Sequence, residues 1–200
     1  MNETEWLQGN DPARLVEFVS ARTSPRKLRL WACACARRVW PFIPDEVGRR
    51  AIVVAERFAD GQATDQELRA VADVFYPCGF YNASYGHPAT RAAHCALYLE
   101  RVAATASWTA RVRKPADRAR EQAAQVTLVH HIFGNPFRPI TPIVALPSAI
   151  SALAAALYAG QDCAFALHDA LLDAGHIELA EHFCAHEHPR GCWALDLLLG

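Results

Sequence analysis

The sequence carries no surplus of charge of either sign. Its 20 basic residues stand against 21 acidic ones, which excludes a uniformly basic nucleic-acid binder and an acidic disordered tail. Glycine and proline are not abundant either, 10 and 12 in 200 residues, so collagen-like and low-complexity chains are excluded. No segment alternates apolar and polar residues with β-branched enrichment, so no strand is expected. No repeat period marks a solenoid. The common catalytic templates are missing as well. There is no phosphate-binding loop, no dinucleotide glycine motif, no Gly-x-Ser-x-Gly elbow and no set of Glu-x-x-His pairs.

The first residues do not read as an export signal. Met1-Asn2-Glu3-Thr4-Glu5-Trp6 is acidic and polar, where a secretory signal needs a basic start and an apolar run. The seven cysteines are odd in number and scattered, unlike a disulfide framework. Both features place the expected compartment in the cytoplasm. From Pro139 to Gln161 no charged residue occurs, a length that reaches across a bilayer. Pro139, Pro142 and Pro147 break its first third, so a buried helix after a proline-rich loop at 134–147 is expected in place of a membrane span.

What is present is helix punctuation. Asp11-Pro12 and Ser24-Pro25 each read as an N-cap followed by a first-turn proline, opening helices to about Ser20 and Trp40. A third helix is expected from Asp45 to Ala59, stopped by Asp60-Gly61. Thr64-Asp65-Gln66-Glu67 is a capping box for a helix reaching Phe75. The aromatic, glycine-bearing stretch from Tyr76 to His87 reads as a packed loop. Pro88 opens a long helix towards Arg113, and Pro115 another ending at Gly134. Ser148–Ala159, Asp162–Ala174, Ile177–Cys184 and Gly191–Leu199 follow. In the second helix Leu28, Trp31, Ala32, Cys35 and Val39 form one stripe, while Leu30, Cys33 and Trp40 lie on other faces, so burial on more than one side is expected. Cys33 and Cys35 then stand about 160° apart and cannot chelate one ion from a continuous helix; they are core packing.

Five blocks carry a resemblance. They are Glu5-Trp6-Leu7, the run RKLRLWACAC from Arg26 to Cys35, Arg37-Arg38-Val39-Trp40, the run IFGNPFRP from Ile132 to Pro139, and RGCWALDLLLG from Arg190 to Gly200. Together they resemble an all-helical protein family encoded many times over in planctomycete bacteria, to which no activity is assigned. Members often carry adjacent cysteines in the first long block, where this chain has Ala36 after Cys35. The resemblance implies a bacterial cytoplasmic protein and implies no mechanism.

The densest chemistry lies near the C-terminus. His182, Cys184, His186, His188 and Cys192 stand within eleven residues, with His176 just before. Zinc takes imidazole and thiolate in tetrahedral sets, and Cys184, His186, His188 and Cys192 form the candidate structural zinc site. A helix running past Cys184 would set His182 one turn from His186 and Cys184 one turn from His188, and Pro189-Arg190-Gly191 would fold Cys192 back towards them. The spacing is that of no zinc finger. In His182-Phe183-Cys184-Ala185-His186 a phenylalanine stands where a zincin needs its glutamate, so metalloprotease chemistry is not supported. The competing reading is a histidine-rich surface turn with two buried cysteines. His130-His131 reads as a helix C-terminal cap, because adjacent residues point about 100° apart and are ill placed for joint ligation. In the loop that follows, Phe133 and Phe137 are expected to pin the chain into the core.

Charge is unevenly spread. Ala21–Arg50 holds eight basic residues against two acidic ones, Arg101–Arg120 six against one, and the segment from Gly160 onward one against seven. Solvated faces, pairing within the fold and a nucleic-acid surface all fit such runs. The sequence thus predicts an all-α protein of about nine to ten helices, a single compact domain over residues 1–200. It is expected to act by binding, with another protein as partner and no identifiable catalytic residue or small-molecule substrate. Three alternatives stay open: a domain stabilised by the C-terminal zinc site, an enzyme with a Cys–His or metal site in that region, and nucleic-acid binding through the basic helices.

Overall fold

The computed structural model describes residues 1–75, 87–138, 146–184 and 187–200. Among the described residues are twelve α-helices, three short 3-10 turns and no strand. The chain is all-α, and its contacts group into two compact units, Met1–His130 and His131–Gly200. The aromatic stretch expected as a packed loop lies outside the described residues, apart from His87. So do residues 139–145 of the proline-rich loop.

In the first unit the helices begin where the capping chemistry dictates. Asn2 and Glu5 exchange the two bonds of a capping box at α1 (Glu3–Gln8), which the apolar pattern alone does not reveal because six residues make too short a stripe. Asp11 caps α2 (Pro12–Ser20), Ser24 caps α3 (Pro25–Arg37) and Asp45 caps α4 (Glu46–Ala59). The Thr64 hydroxyl and Glu67 carboxylate exchange bonds with each other's backbone N–H at the start of α5 (Asp65–Phe75). The single helix expected from Pro88 to Arg113 is instead two, α6 (Pro88–Cys95) and α7 (Ala104–Val112). Between them Leu97 and Val102 are both buried. On a continuous helix these two would point about 140° apart, so the chain bends through a 3-10 turn at Leu99–Arg101 and buries both. Helix α8 (Arg118–Phe133) follows.

Helix α3 is the centre of this unit, packed on α4, α6 and α7. Leu30, Trp31, Ala32, Cys33, Cys35 and Ala36 are all essentially inaccessible, which is burial on several sides. Cys33 directs its thiol towards the Ile52 carbonyl at 3.9 Å, and burial pushes the thiols of both Cys33 and Cys35 far up from their ordinary value. They are packing groups.

The basic run turns largely inward. Arg37 bonds Glu56 through two guanidinium nitrogens, Nε and Nη2, at 2.9 and 2.6 Å. Arg38 grips Glu121 of α8 in the same two-pronged manner, at 2.9 and 3.1 Å. Arg113 adds a third bond to that carboxylate at 3.3 Å and donates to the Arg38 carbonyl at 2.9 Å. Glu121 is 3% exposed, so its charge depends on these two arginines. Arg26 pairs with Asp60, and Arg29 is buried with its guanidinium over the Phe58 ring.

The second unit begins at His131 and holds α9 (Ser148–Tyr158), α10 (Ala164–Asp173), α11 (Ile177–His182) and α12 (Trp193–Leu199). Ile150, Leu167, Leu171, Phe183, Cys192 and Leu195 make its core. No helix among the described residues is long and apolar enough to cross a membrane. Phe137 does not pin the loop after α8 into a core; it is exposed, and the Asn135 side chain holds the turn by accepting the Phe137 N–H at 3.0 Å. An Asx turn supplies locally the order that the phenyl ring was expected to supply by burial.

Two outcomes follow for stability. Glu121→Ala removes the buried carboxylate that Arg38 and Arg113 share and lowers unfolding free energy by about 3 kcal/mol in urea titration. Arg38→Ala costs less, because Arg113 stays on the carboxylate. His94, part-buried between Arg91 and Arg101, has its pKa pushed down to about 4, first by burial and then by those two cations. The unfolded chain takes up that proton near the ordinary 6.5 and the folded one only near 4. Stability therefore falls as pH drops through that window, and His94→Gln flattens the dependence in thermal melts between pH 7 and about pH 4.

Candidate metal centre

Four chain segments of the second unit converge on one spot. Helix α8 ends at Phe133 and offers His131 from its last turn. Helix α11 stops at His182, its final residue, and does not run to Cys184. The irregular stretch after it offers His188. Gly191 then takes φ +80°, a left-handed value suited to glycine, and the Cys192 N–H closes the turn on the Pro189 carbonyl at 3.0 Å. Cys192 is thereby set at the head of α12.

One ring nitrogen from each of His131, His182 and His188 lies within 4.8 Å of the others, and all three side chains are half-buried. These residues could hold a metal ion. The rings also pack as a cluster, with centroids 5.1 Å apart for His131–His182 and 5.2 Å for His182–His188. The Cys192 sulfur stands 3.0 Å from His182 Nε2 and 3.9 Å from His188 Nδ1. In a tetrahedral zinc site, Zn–N bonds of ~2.0–2.1 Å and a Zn–S bond of ~2.3 Å give edges of roughly 3.3 Å between nitrogens and roughly 3.6 Å between nitrogen and sulfur. The two sulfur distances bracket that edge.

Electrostatics suit ligation. Burial, and then the neighbouring His131 and His188, push the His182 pKa down to about 3. Its imidazole is unprotonated at neutral pH, the form that donates a lone pair. Cys192 has no exposed surface. Its contact with His182 is the spacing of a Cys–His nucleophile pair, but a nucleophile must be reached by its substrate, and this sulfur belongs to the core.

Of the four residues expected from the sequence, His188 is one of the three convergent histidines, and Cys192 stands beside two of them, His182 and His188. Cys184 is exposed and His186 lies outside the described residues. His131 was not expected here. The rule that adjacent histidines diverge holds, and its consequence is a division of labour. His130 Nε2 donates to the Trp6 carbonyl at 3.2 Å, since a carbonyl only accepts, while His131 faces the cluster. The signal available in the sequence was therefore the pair itself, one histidine of which need not cap.

Gly134 ends α8 with φ +66°, and a Cβ there would come within 3.2 Å of the Trp193 ring. Trp193 in turn packs edge-on against His182, centroids 5.0 Å apart. Gly134→Ala is expected to cost about 1–2 kcal/mol of backbone strain and to displace Trp193 from His182. Chemical denaturation and a shifted tryptophan emission check both effects. Compared with protein-family models, with curated proteins and with solved structures, the chain finds no match, so what it does has to be argued from this geometry.

Proposed function

We propose that the chain is a non-catalytic binding protein whose second unit is held together by one structural zinc ion. His131, His182 and His188 supply nitrogen and Cys192 supplies thiolate. The observation that carries this reading is the convergence of three imidazoles within 4.8 Å of one another beside a fully buried thiol. Such a mixed nitrogen and sulfur set suits zinc. A buried sulfur in the fourth position leaves no place for the water that catalytic zinc keeps, and the cluster contains no carboxylate to act as a base. Among the described residues no other set of three potential ligands meets at one point.

Another protein is the partner this reading favours. Phe165 and Ile177 are 70% and 60% exposed on α10 and α11, in a segment whose charge is strongly acidic. A protein partner would cover exposed apolar side chains of this size, since aromatic residues are enriched at such interfaces. The nucleic-acid alternative loses its support from α3, since Arg26, Arg37 and Arg38 are committed to Asp60, Glu56 and Glu121.

Elemental analysis of full-length, untagged protein purified without chelator is expected to give about one zinc per chain, and chelation to lower the melting temperature. His131→Ala, His188→Ala and Cys192→Ala should each lose the metal, while Cys184→Ala keeps it. Replacement by cobalt(II) separates ligand loss from misfolding. A thiolate-to-cobalt absorption band should appear in the parent protein and in Cys184→Ala and be absent in Cys192→Ala. Protein free of metal and indifferent to chelator overturns the assignment.

A further inference from the structure

Helix α10 presents to solvent an apolar stripe that the core of its own unit does not use. Its inner side is Ala164, Leu167 and Leu171, all buried. Phe165 and Leu172 stand seven residues apart, which places them within about 20° of each other around the helix and about 10.5 Å apart along it. They belong to the opposite side, where Phe165 is 70% and Leu172 42% exposed. The Phe165 ring packs against His168, one turn along, with centroids 5.6 Å apart. A ring ordered in this way loses little freedom when a partner covers it. Ile177, exposed as well, follows at the start of α11.

The same surface is acidic. Asp162, Asp169, Asp173, Glu178 and Glu181 are all exposed, and no lysine or arginine occurs between Arg138 and Arg190. Asp169 lies between Phe165 and Leu172 along α10 and points within about 60° of both. Its carboxylate contacts His168 at 2.9 Å. Among the described residues the other four acids have no ion-pair partner.

A single sign of charge around apolar side chains decides between occupants. A second copy docked face to face would set Asp169 and Asp173 against their own counterparts, a juxtaposition of like charges that complexes avoid. Membrane surfaces carry anionic headgroups and nucleic acids carry phosphates, so both are repelled. A peptide surface that is apolar and basic meets both demands of the face.

We propose that the exposed face of α10 docks a basic amphipathic helix of another protein. Apolar residues of the partner at i, i+3 or i+4, and i+7 cover Phe165 and Leu172, whose separation is two turns of such a helix. Its lysines and arginines lie over Asp169 and Asp173. The aromatic anchor supplies most of the affinity, and the acids set orientation and encounter rate. This names the partner chemistry of the protein-binding reading above and rests on that reading, but not on the zinc ion.

Fluorescence anisotropy of the full chain with a fluorescein-labelled amphipathic helix of leucine and lysine in heptads tests this, with the leucine–glutamate counterpart as control. Saturable binding of the lysine helix alone is expected. Phe165→Ser and Leu172→Ser should each weaken it roughly tenfold or more, the worth of a buried apolar side chain. Asp169→Asn with Asp173→Asn should weaken it and flatten its salt dependence. Leu7→Ser, at an exposed leucine of the first unit, should leave it unchanged. Circular dichroism confirms that the variants fold. No saturable binding, equal binding of the glutamate helix, or unchanged affinity in both Phe165→Ser and Leu172→Ser overturns the proposal. A dimer of the chain alone that these two substitutions dissociate also overturns it, by making a second copy the occupant. Metal content measured on the same samples keeps the two readings apart: zinc bound without peptide binding sinks only the docking face, and peptide binding without zinc sinks only the metal.

Discussion

A carboxylate withdrawn from water must find its countercharge in the same place, and Glu121 imposes that requirement on the first unit. Residues far apart in sequence answer it: Arg38 at the end of α3 and Arg113 just past α7. Because Arg113 also donates to the Arg38 carbonyl, the two arginines are held to each other as well as to the acid. Such a cluster adds little net stability over an apolar equivalent, but it penalises any arrangement that leaves one member alone. It therefore selects a single docking of α3, α7 and α8. The same carboxylate accepts from Gln125, so the orientation of that amide is a consequence of where the charge is buried.

Helix starts were legible because capping is local chemistry. Asp11, Ser24, Asp45 and the Thr64–Glu67 pair each act within three residues of themselves, a range the sequence displays directly. The bend between α6 and α7 was not legible, for the opposite reason. Residues 96–103 contain no glycine or proline, and what ends the helix is the burial of both Leu97 and Val102, which a continuous helix would turn to different sides, a demand set by neighbours distant in sequence. Capping signals reveal where helices can begin; only packing decides where an uninterrupted run must break.

The same division governs the candidate site. His188 and Cys192 stood out because five ligand-type residues crowd a short segment. Cys184 belongs to that crowd but is exposed, since α11 ends at His182 and the chain leaves the helical register that would have turned it inward. His131 comes from another helix, some fifty residues earlier, and no local spacing rule reaches that far. Adjacent histidines diverging on a helix was a sound premise. It excluded joint ligation and still allowed one of the pair to ligate while the other bonds a carbonyl.

The proposed ligand set suits the unit that would carry it. The 70 residues of His131–Gly200 bury a modest core in which several members are alanine, and domains of that size commonly need a staple. A cage of carboxylates would repel itself whenever the metal was absent. Imidazoles pack as aromatic rings instead, and His182 is held neutral first by its own burial, so the unit could assemble before an ion arrived. Once bound, a dication with one thiolate leaves a single positive charge. That charge would stand in a segment where seven acids from Gly160 onward face one arginine, an electrostatic setting that favours the loaded state over the empty one.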